Sequence, residues 1–192
     1  MRKFSIVISR TFDFHFWAPL ILIISLLNSG LSTQQVKILF ILLGIIDVLF
    51  PIILFFYYLK TKRISDIDVT IRQERHKLFA VVSLFLLLGT TVSFSFGNQE
   101  FFILHLTVFM MTLTILCITF FYKISAHLFM AAGTLFLINF LLDWHALWLF
   151  ILLLPIAFAR FYLKKHDMPQ ILLGSILGIL EPMLILKLNG YL

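Results

Sequence analysis

The chain has 192 residues, of which 61% are hydrophobic and only 12% are charged. Soluble domains have about 45–50% apolar and about 25% charged residues, so this composition excludes an ordinary soluble domain. The formal net charge is +6, but the basic residues are confined to a few loops. They form no basic face interleaved with aromatic side chains, and we therefore do not expect nucleic acid as a partner. The single cysteine, Cys117, rules out an internal disulfide framework.

Seven apolar segments are predicted to cross a bilayer as helices. A spanning helix needs about 20 mostly apolar residues, and helices are expected because backbone polar groups in lipid must be bonded within their own segment. The first segment is short and begins with His15 and Trp17, so a half-inserted interfacial segment is its alternative. No small-residue cleavage site follows it, which argues against a removed signal sequence. The predicted spans are 15–30, 36–59, 78–97, 101–122, 125–143, 145–163 and 169–189.

These segments predict an all-α, polytopic transmembrane bundle that forms one membrane domain over residues 1–192. The connections are short except for a polar loop at 60–77. Seven spans place this loop, the N-terminus, the 123–124 junction and residues 164–168 on one side. Of the fifteen Lys and Arg residues, only Lys37 and Lys187 fall on the other side, which leaves thirteen on the first. The positive-inside rule therefore predicts that the basic side is cytoplasmic.

Three polar clusters lie at the membrane boundary on the basic side. Pairs of spans separate the clusters, so the chain returns to the same face each time. Snorkelling to water explains any one of these charges alone. Together the three clusters contain arginine guanidinium groups and a serine hydroxyl that can donate hydrogen bonds to phosphate oxygens. They also contain histidines that can act as nucleophile or as acid and base. The first cluster is Asp66, Asp68, Arg72, Glu74, Arg75 and His76, the second is residues 123–127, and the third is residues 160–170.

In diverged form, these clusters resemble the motifs of the type 2 phosphatidic acid phosphatase superfamily, which includes lipid phosphatases and vanadium haloperoxidases. That family carries K-x6-R-P, P-S-G-H and S-R-x5-H-x3-D. Arg75 corresponds to the arginine of the first motif, residues 124–127 to the second, and residues 159–170 to the third. Gly174 and Gly178 match a G-x3-G step on the family's last helix, where small residues allow close packing. The resemblance covers residues 66–178.

The resemblance implies a six-helix core and a metal-independent lipid phosphatase that uses no cofactor and forms a phosphohistidine. It implies His166 as the nucleophile, His127 as the general acid and Gln170 as the residue that orients the nucleophile. The implied substrate is a polyprenyl or glycerolipid phosphate taken from the membrane lipids of a bacterial or archaeal cell. Phosphoryl transfer is mostly positioning and charge stabilisation, which such a cluster supplies. The implied phosphate-binding residues are Arg72, Arg75, Lys123, Ser125 and Arg160.

The chain also departs from the family pattern. Gln170 stands where the family has an aspartate, and a glutamine accepts a hydrogen bond from an imidazole but supplies no charge. Some eukaryotic dolichyl-diphosphate phosphatases carry glutamine there. Two alternatives stay open: a catalytically weakened relative that binds lipid phosphates, and a small transporter or assembly factor whose charges only set topology. The other departures are Asp68 at the lysine position, His76 for proline, Ile124 and Ala126 in the second motif, and Ala159 for serine.

Four further ionisable residues lie in or near the predicted spans. Asp47 and Glu181 fall within spans, where a charge is costly unless it is paired or neutral. Each is expected to line a water-filled or substrate cavity, to be protonated, or to pair with a neighbouring helix. His105 and His145 have no partner at metal-ligand spacing, so we expect core or interfacial roles for both.

Overall fold

A computed structural model describes residues 1–192, except for the side chain of Phe14. All regular secondary structure in the described chain is helical, as the sequence predicts. A π-helical turn (Gly44–Leu49) joins α3 to α4, and a 3-10 helix (Leu147–Leu152) precedes α8. The α-helices are α1 (Arg2–Thr11), α2 (Phe14–Leu27), α3 (Thr33–Leu43), α4 (Phe50–Lys60), α5 (Arg72–Ser95), α6 (Gln99–Phe121), α7 (Ala126–Leu141), α8 (Leu153–Tyr162) and α9 (Met168–Leu188).

Four helical stretches are long and apolar enough to cross a membrane. A fifth exists if α1 and α2, which are bent by 41°, count as one span. The remaining two predicted spans are the shorter apolar helices Ala126–Leu141 and Leu147–Tyr162. At 1.5 Å per residue, the 16 residues of α7 cover about 24 Å, less than the ~30 Å hydrocarbon layer. These are the dimensions of a multi-pass membrane protein, with the full spans at Thr33–Lys60, Arg72–Ser95, Gln99–Phe121 and Met168–Leu188.

Side-chain caps and helix propensities set several helix boundaries. Ser32 and Gln35 form a capping box at the start of α3, and Asn98 caps α6 by accepting a hydrogen bond from the N–H of Phe101. The predicted polar loop at 60–77 is shorter in the structure, because α5 begins at Arg72. Arg, Gln, Glu and Lys are good helix formers. The charged residues at 72–77 therefore form the first turns of α5, and its apolar part follows them.

The chain divides into two compact units. Unit 1 consists of residues 1–24 and 124–192, and unit 2 consists of residues 25–123. In unit 1, α7 packs against α9, and α1 packs against α8. Every residue from 127 to 139 is buried, so α7 is the central helix of that unit. In unit 2, α5 packs along α6 and also against the π-helical turn.

Two glycines of α9 bring its backbone against that of α7. A Cβ atom on Gly174 would lie 2.7 Å from the carbonyl oxygen of Ser125, and one on Gly178 would overlap the carbonyl of Phe129. The N–H of Ser125 also donates to the carbonyl oxygen of Gln170 at 3.1 Å. These backbone contacts fix the start of α7 beside the first turn of α9. Residues 124–127 of the second polar cluster therefore meet the third cluster within unit 1.

Candidate active site

The eight residues predicted for the site are distributed over both units. Unit 1 contains Ser125, His127, Arg160, His166 and Gln170, whereas unit 2 contains Arg72, Arg75 and Lys123. The five residues of unit 1 lie at the start of α7, at the end of α8, and at the connection from α8 to α9.

His166 is buried in the connection between α8 and α9, and Gln170 fixes its tautomer. Nδ1 of His166 lies 2.7 Å from Oε1 of Gln170. An amide oxygen only accepts hydrogen bonds, so Nδ1 must carry the proton and donate it. In the neutral ring the lone pair is then on Nε2, an atom that is also buried. This is the form of histidine that acts as a nucleophile.

Asp167 determines which way the Gln170 amide points. Nε2 of Gln170 donates to Oδ2 of Asp167 at 3.1 Å, and the backbone N–H of Gln170 donates to Oδ1 at 2.9 Å. A carboxylate accepts but does not donate, so the amide nitrogen must face Asp167 and the amide oxygen must face His166. Sequence reasoning missed this role. The available signal was the D-x-x-Q spacing at a helix start, which is typical of a cap.

Arg160 is fully buried near the end of α8. Its Nη1 donates to Oγ of Ser9, a buried residue of α1, at 2.6 Å. Its carbonyl oxygen accepts the N–H of Lys165 at 3.1 Å and that of His166 at 3.4 Å. The same residue therefore places a buried guanidinium in unit 1 and holds the turn that carries His166.

His127 is buried in the first turn of α7, where it meets a carboxylate from the N-terminal segment. Its Nε2 lies 3.3 Å from Oδ1 of Asp13, and Oδ2 of Asp13 lies 3.7 Å from Nδ1 of His15. Asp13 occupies the break between α1 and α2 and is half-buried. A carboxylate this close attracts a protonated imidazole more strongly than a neutral one. Asp13 lies outside the region of family resemblance, and its only sequence signal was a charge at the edge of the weakest span.

Ser125 occupies the N-cap position of α7, but its hydroxyl makes no cap hydrogen bond. The residue is completely buried, and its Oγ has no hydrogen-bond partner among the described residues. Leaving a buried hydroxyl unsatisfied costs about 1–3 kcal/mol. An acceptor oxygen of a bound ligand would satisfy this donor.

Of the three predicted phosphate-binding residues of unit 2, Arg75 makes a defined contact within that unit. Arg75 is buried, and its Nε donates to the carbonyl oxygen of Val69 at 2.8 Å, which ties the end of the polar loop to α5. Arg72 is the first residue of α5 and is half-buried, as is Lys123 after α6. The role of these three residues toward a phosphate stays a prediction.

The cluster in unit 1 thus combines a histidine oriented through Nδ1, a histidine beside a carboxylate, a buried guanidinium and a buried hydroxyl. Among the described side chains, no group of three or more His, Cys, Asp or Glu residues is placed to hold a metal ion. Comparisons with known proteins gave no match to a protein-family model, a curated protein or a solved structure. Membership of the phosphatase superfamily therefore stays a prediction.

Proposed function

We propose that the chain is an integral-membrane lipid phosphatase of the type 2 phosphatidic acid phosphatase kind, with a polyprenyl or glycerolipid phosphate as substrate. The hydrogen-bonded series His166–Gln170–Asp167 carries this proposal. It holds His166 with the proton on Nδ1, so that the neutral ring would have its lone pair on Nε2, in the turn whose N–H groups donate to the carbonyl oxygen of Arg160.

The reaction would proceed in two displacements at phosphorus. In the first, Nε2 of His166 forms a P–N bond while the P–O bond to the leaving group breaks, and His127 gives the leaving oxygen a proton. The leaving group is the lipid alkoxide for a monophosphate and the lipid phosphate for a diphosphate. In the second, water attacks phosphorus and the P–N bond breaks, which returns the lone pair to Nε2 of His166. His127 takes a proton from that water, and inorganic phosphate leaves. Arg160 and Ser125 would donate to the phosphoryl oxygens in both steps and stabilise their charge.

Asp167 compensates for the absence of an aspartate at position 170. As His166 attacks phosphorus, its ring acquires positive charge, and Nδ1–H donates more strongly to Oε1 of Gln170. The Gln170 amide is polarised in turn by the Asp167 carboxylate at 3.1 Å. Hydrogen bonds in such a series strengthen one another. The negative charge that the family places beside the nucleophile thus stands one side chain further away.

Lipid substrates test the proposal directly. The purified chain in detergent is expected to release inorganic phosphate from undecaprenyl diphosphate or phosphatidic acid. Acid-labile, base-stable phosphate should become bound to the chain when turnover is quenched with alkali. Saturable binding of these lipids with neither release nor phosphoprotein would contradict the phosphatase and favour the weakened binding protein. Neither binding nor release would favour the transporter or assembly factor.

Substituting Asp13 tests the acid role of His127. Asp13→Asn is expected to lower kcat for lipid phosphates by about 10-fold to 100-fold, because a weaker partner holds the protonated imidazole. The loss should shrink with a nitrophenyl phosphate, whose leaving group needs no proton. Asp143→Asn, a change at an exposed carboxylate, is the matched control and should behave like the native chain. Equal losses on both kinds of leaving group would assign Asp13 a purely structural role.

We place the phosphatase centre on the cytoplasmic side, because thirteen of the fifteen Lys and Arg residues are assigned to that side by the predicted topology. Many bacterial enzymes of the family act on the outer face. A cysteine introduced in the polar loop, for example at Ser65, should therefore resist a membrane-impermeant thiol reagent in intact cells and react after lysis. Labelling in intact cells would reverse the orientation.

A further inference from the structure

A carboxylate–imidazole pair lies inside unit 2. Asp47 belongs to the π-helical turn within the span Thr33–Lys60 and is only 4% exposed. Its Oδ2 lies 2.8 Å from Nε2 of His105, a buried residue of α6. Ionisable side chains within a membrane are costly, and they commonly mark the binding sites or paths of protons and ions. None of the proposed phosphatase steps uses this pair.

The backbone around Asp47 departs from a regular α-helix. In an α-helix, Pro51 would lack the N–H that bonds to the carbonyl of Asp47, and its ring would clash with that carbonyl. The helix widens instead, and the N–H of Phe50 donates to Ile45 five residues earlier. Single π-helical turns of this kind occur frequently at functional sites. The proline thus provides a local reason for the turn that carries the carboxylate.

A glycine of α5 lets its backbone lie against the same carboxylate. A Cβ atom at Gly89 would overlap both carboxylate oxygens and the carboxyl carbon of Asp47. Oδ1 of Asp47 has no hydrogen-bond partner among the described residues. Three helical segments therefore converge on one carboxyl group, which is hydrogen-bonded on one oxygen only.

Charge balance indicates what this pair binds. With one proton shared between carboxylate and imidazole the pair is neutral, whereas removing or adding a proton leaves a net charge in an apolar interior. Glu100, about one and a half turns before His105 and in the first turn of α6, is the ionisable residue nearest to the pair in sequence. The other ionisable residues on the helices around the π-helical turn are about 15 Å or more away along their helices. They are Lys37, Tyr57, Tyr58, Lys60, Arg72, Glu74, Arg75, His76, Lys77 and Cys117.

We propose that Asp47 and His105 form an intramembrane proton-binding site, separate from the phosphatase centre. The ligand is a proton that comes from water and returns to it, so no electron transfer is involved. The π-helical turn is the element that responds, because a change in proton count alters the hydrogen bond that joins this turn to α6. Gly89 brings the backbone of α5 against one side of the carboxylate, and the described residues contain no group of three or more His, Cys, Asp or Glu placed to hold a metal ion. Both observations favour a proton over a metal cation.

Infrared difference spectroscopy during a pH titration tests this site in the full chain. A protonated carboxyl group in an apolar environment gives a C=O stretching band well separated from the amide bands. The native chain is expected to show one such band that changes with pH and shifts in D₂O. Asp47→Asn should remove it, and His105→Gln should move its midpoint.

Glu100→Gln removes a carboxyl group from the same helix as His105 and is the matched control, so its titrating band should equal the native one. A native chain without any titrating buried carboxyl would overturn the proposal, whether or not the variants fold. The same titrating band in the native chain and in Asp47→Asn would overturn it as well. The measurement does not depend on phosphate release, so the proton-binding site and the phosphatase are tested independently of each other.

Discussion

Replacement of His166 by alanine is expected to abolish phosphate release from every lipid substrate that the native chain hydrolyses. In the proposed mechanism Nε2 forms the bond to phosphorus, and loss of a nucleophile that works in concert with its neighbours typically lowers kcat by about 10³-fold or more. The phosphoprotein trapped by quenching should disappear in parallel. Initial rates at saturating lipid concentration measure the effect. Circular dichroism should be unchanged, because His166 lies outside the helices.

His145→Ala is the matched control for that substitution. His145 is exposed, and its Nδ1 lies 2.9 Å from the carbonyl oxygen of Leu142, which is a local contact only. This variant is expected to retain the native kcat. Native rates in His166→Ala would remove His166 from the mechanism. A rate loss accompanied by an equal loss of lipid binding would assign His166 to substrate binding rather than to chemistry.

Gly178→Ala is expected to give a large loss of stability in unit 1. Its Cβ would meet the backbone of Phe129 on α7, so no flexible side chain can move aside and the two helices must separate. Overpacking of this kind costs about 1–3 kcal/mol. Thermal unfolding in detergent, followed by circular dichroism, should show a lower midpoint than for the native chain. Phosphate release should fall with it, since α7 and α9 carry His127 and Gln170.

Gly44→Ala is the control for this prediction. Gly44 has helical dihedral angles, and a Cβ atom there would meet nothing within 4 Å. Alanine favours helix over glycine by about 1 kcal/mol, so this variant should unfold at the native midpoint or slightly above it. If Gly178→Ala were as stable as Gly44→Ala, the close approach of α7 and α9 would be wrong.

Hydropathy was sufficient to predict the helical class, because a segment that spans lipid must form its backbone hydrogen bonds within itself. Each of the seven predicted segments corresponds to helical structure. Apolar length did not predict that α7 and the Leu147–Tyr162 stretch are too short to span alone. It also missed the π-helical turn, although Pro51 was visible. A proline in an apolar run indicates a disturbed helix but does not specify how the chain adapts.

The local parts of the candidate site were readable from the sequence, whereas its pairings between distant segments were not. The second and third polar clusters have motif spacing, so Ser125, His127, Arg160, His166 and Gln170 could be named. Ser9 is 151 residues from Arg160, and Asp47 is 58 residues from His105. Such pairs depend on which helices pack together, and the apolar composition of the spans carries little of that information. The pairing of Asp13 with His127 was missed for the same reason.

Unit 1 is assembled from the two ends of the chain, residues 1–24 and 124–192, and this has a consequence for the order of synthesis. Ser9 and Asp13 leave the ribosome early, but Arg160 and His127 follow only after all of unit 2 has been made. During synthesis the N-terminal helices therefore reach the membrane before Arg160 and His127, the partners of Ser9 and Asp13, have been made. Contacts between distant segments form late because closing the intervening loop has an entropic cost. We expect a translating chain to complete the Asp47–His105 pair before the histidine centre of unit 1 exists.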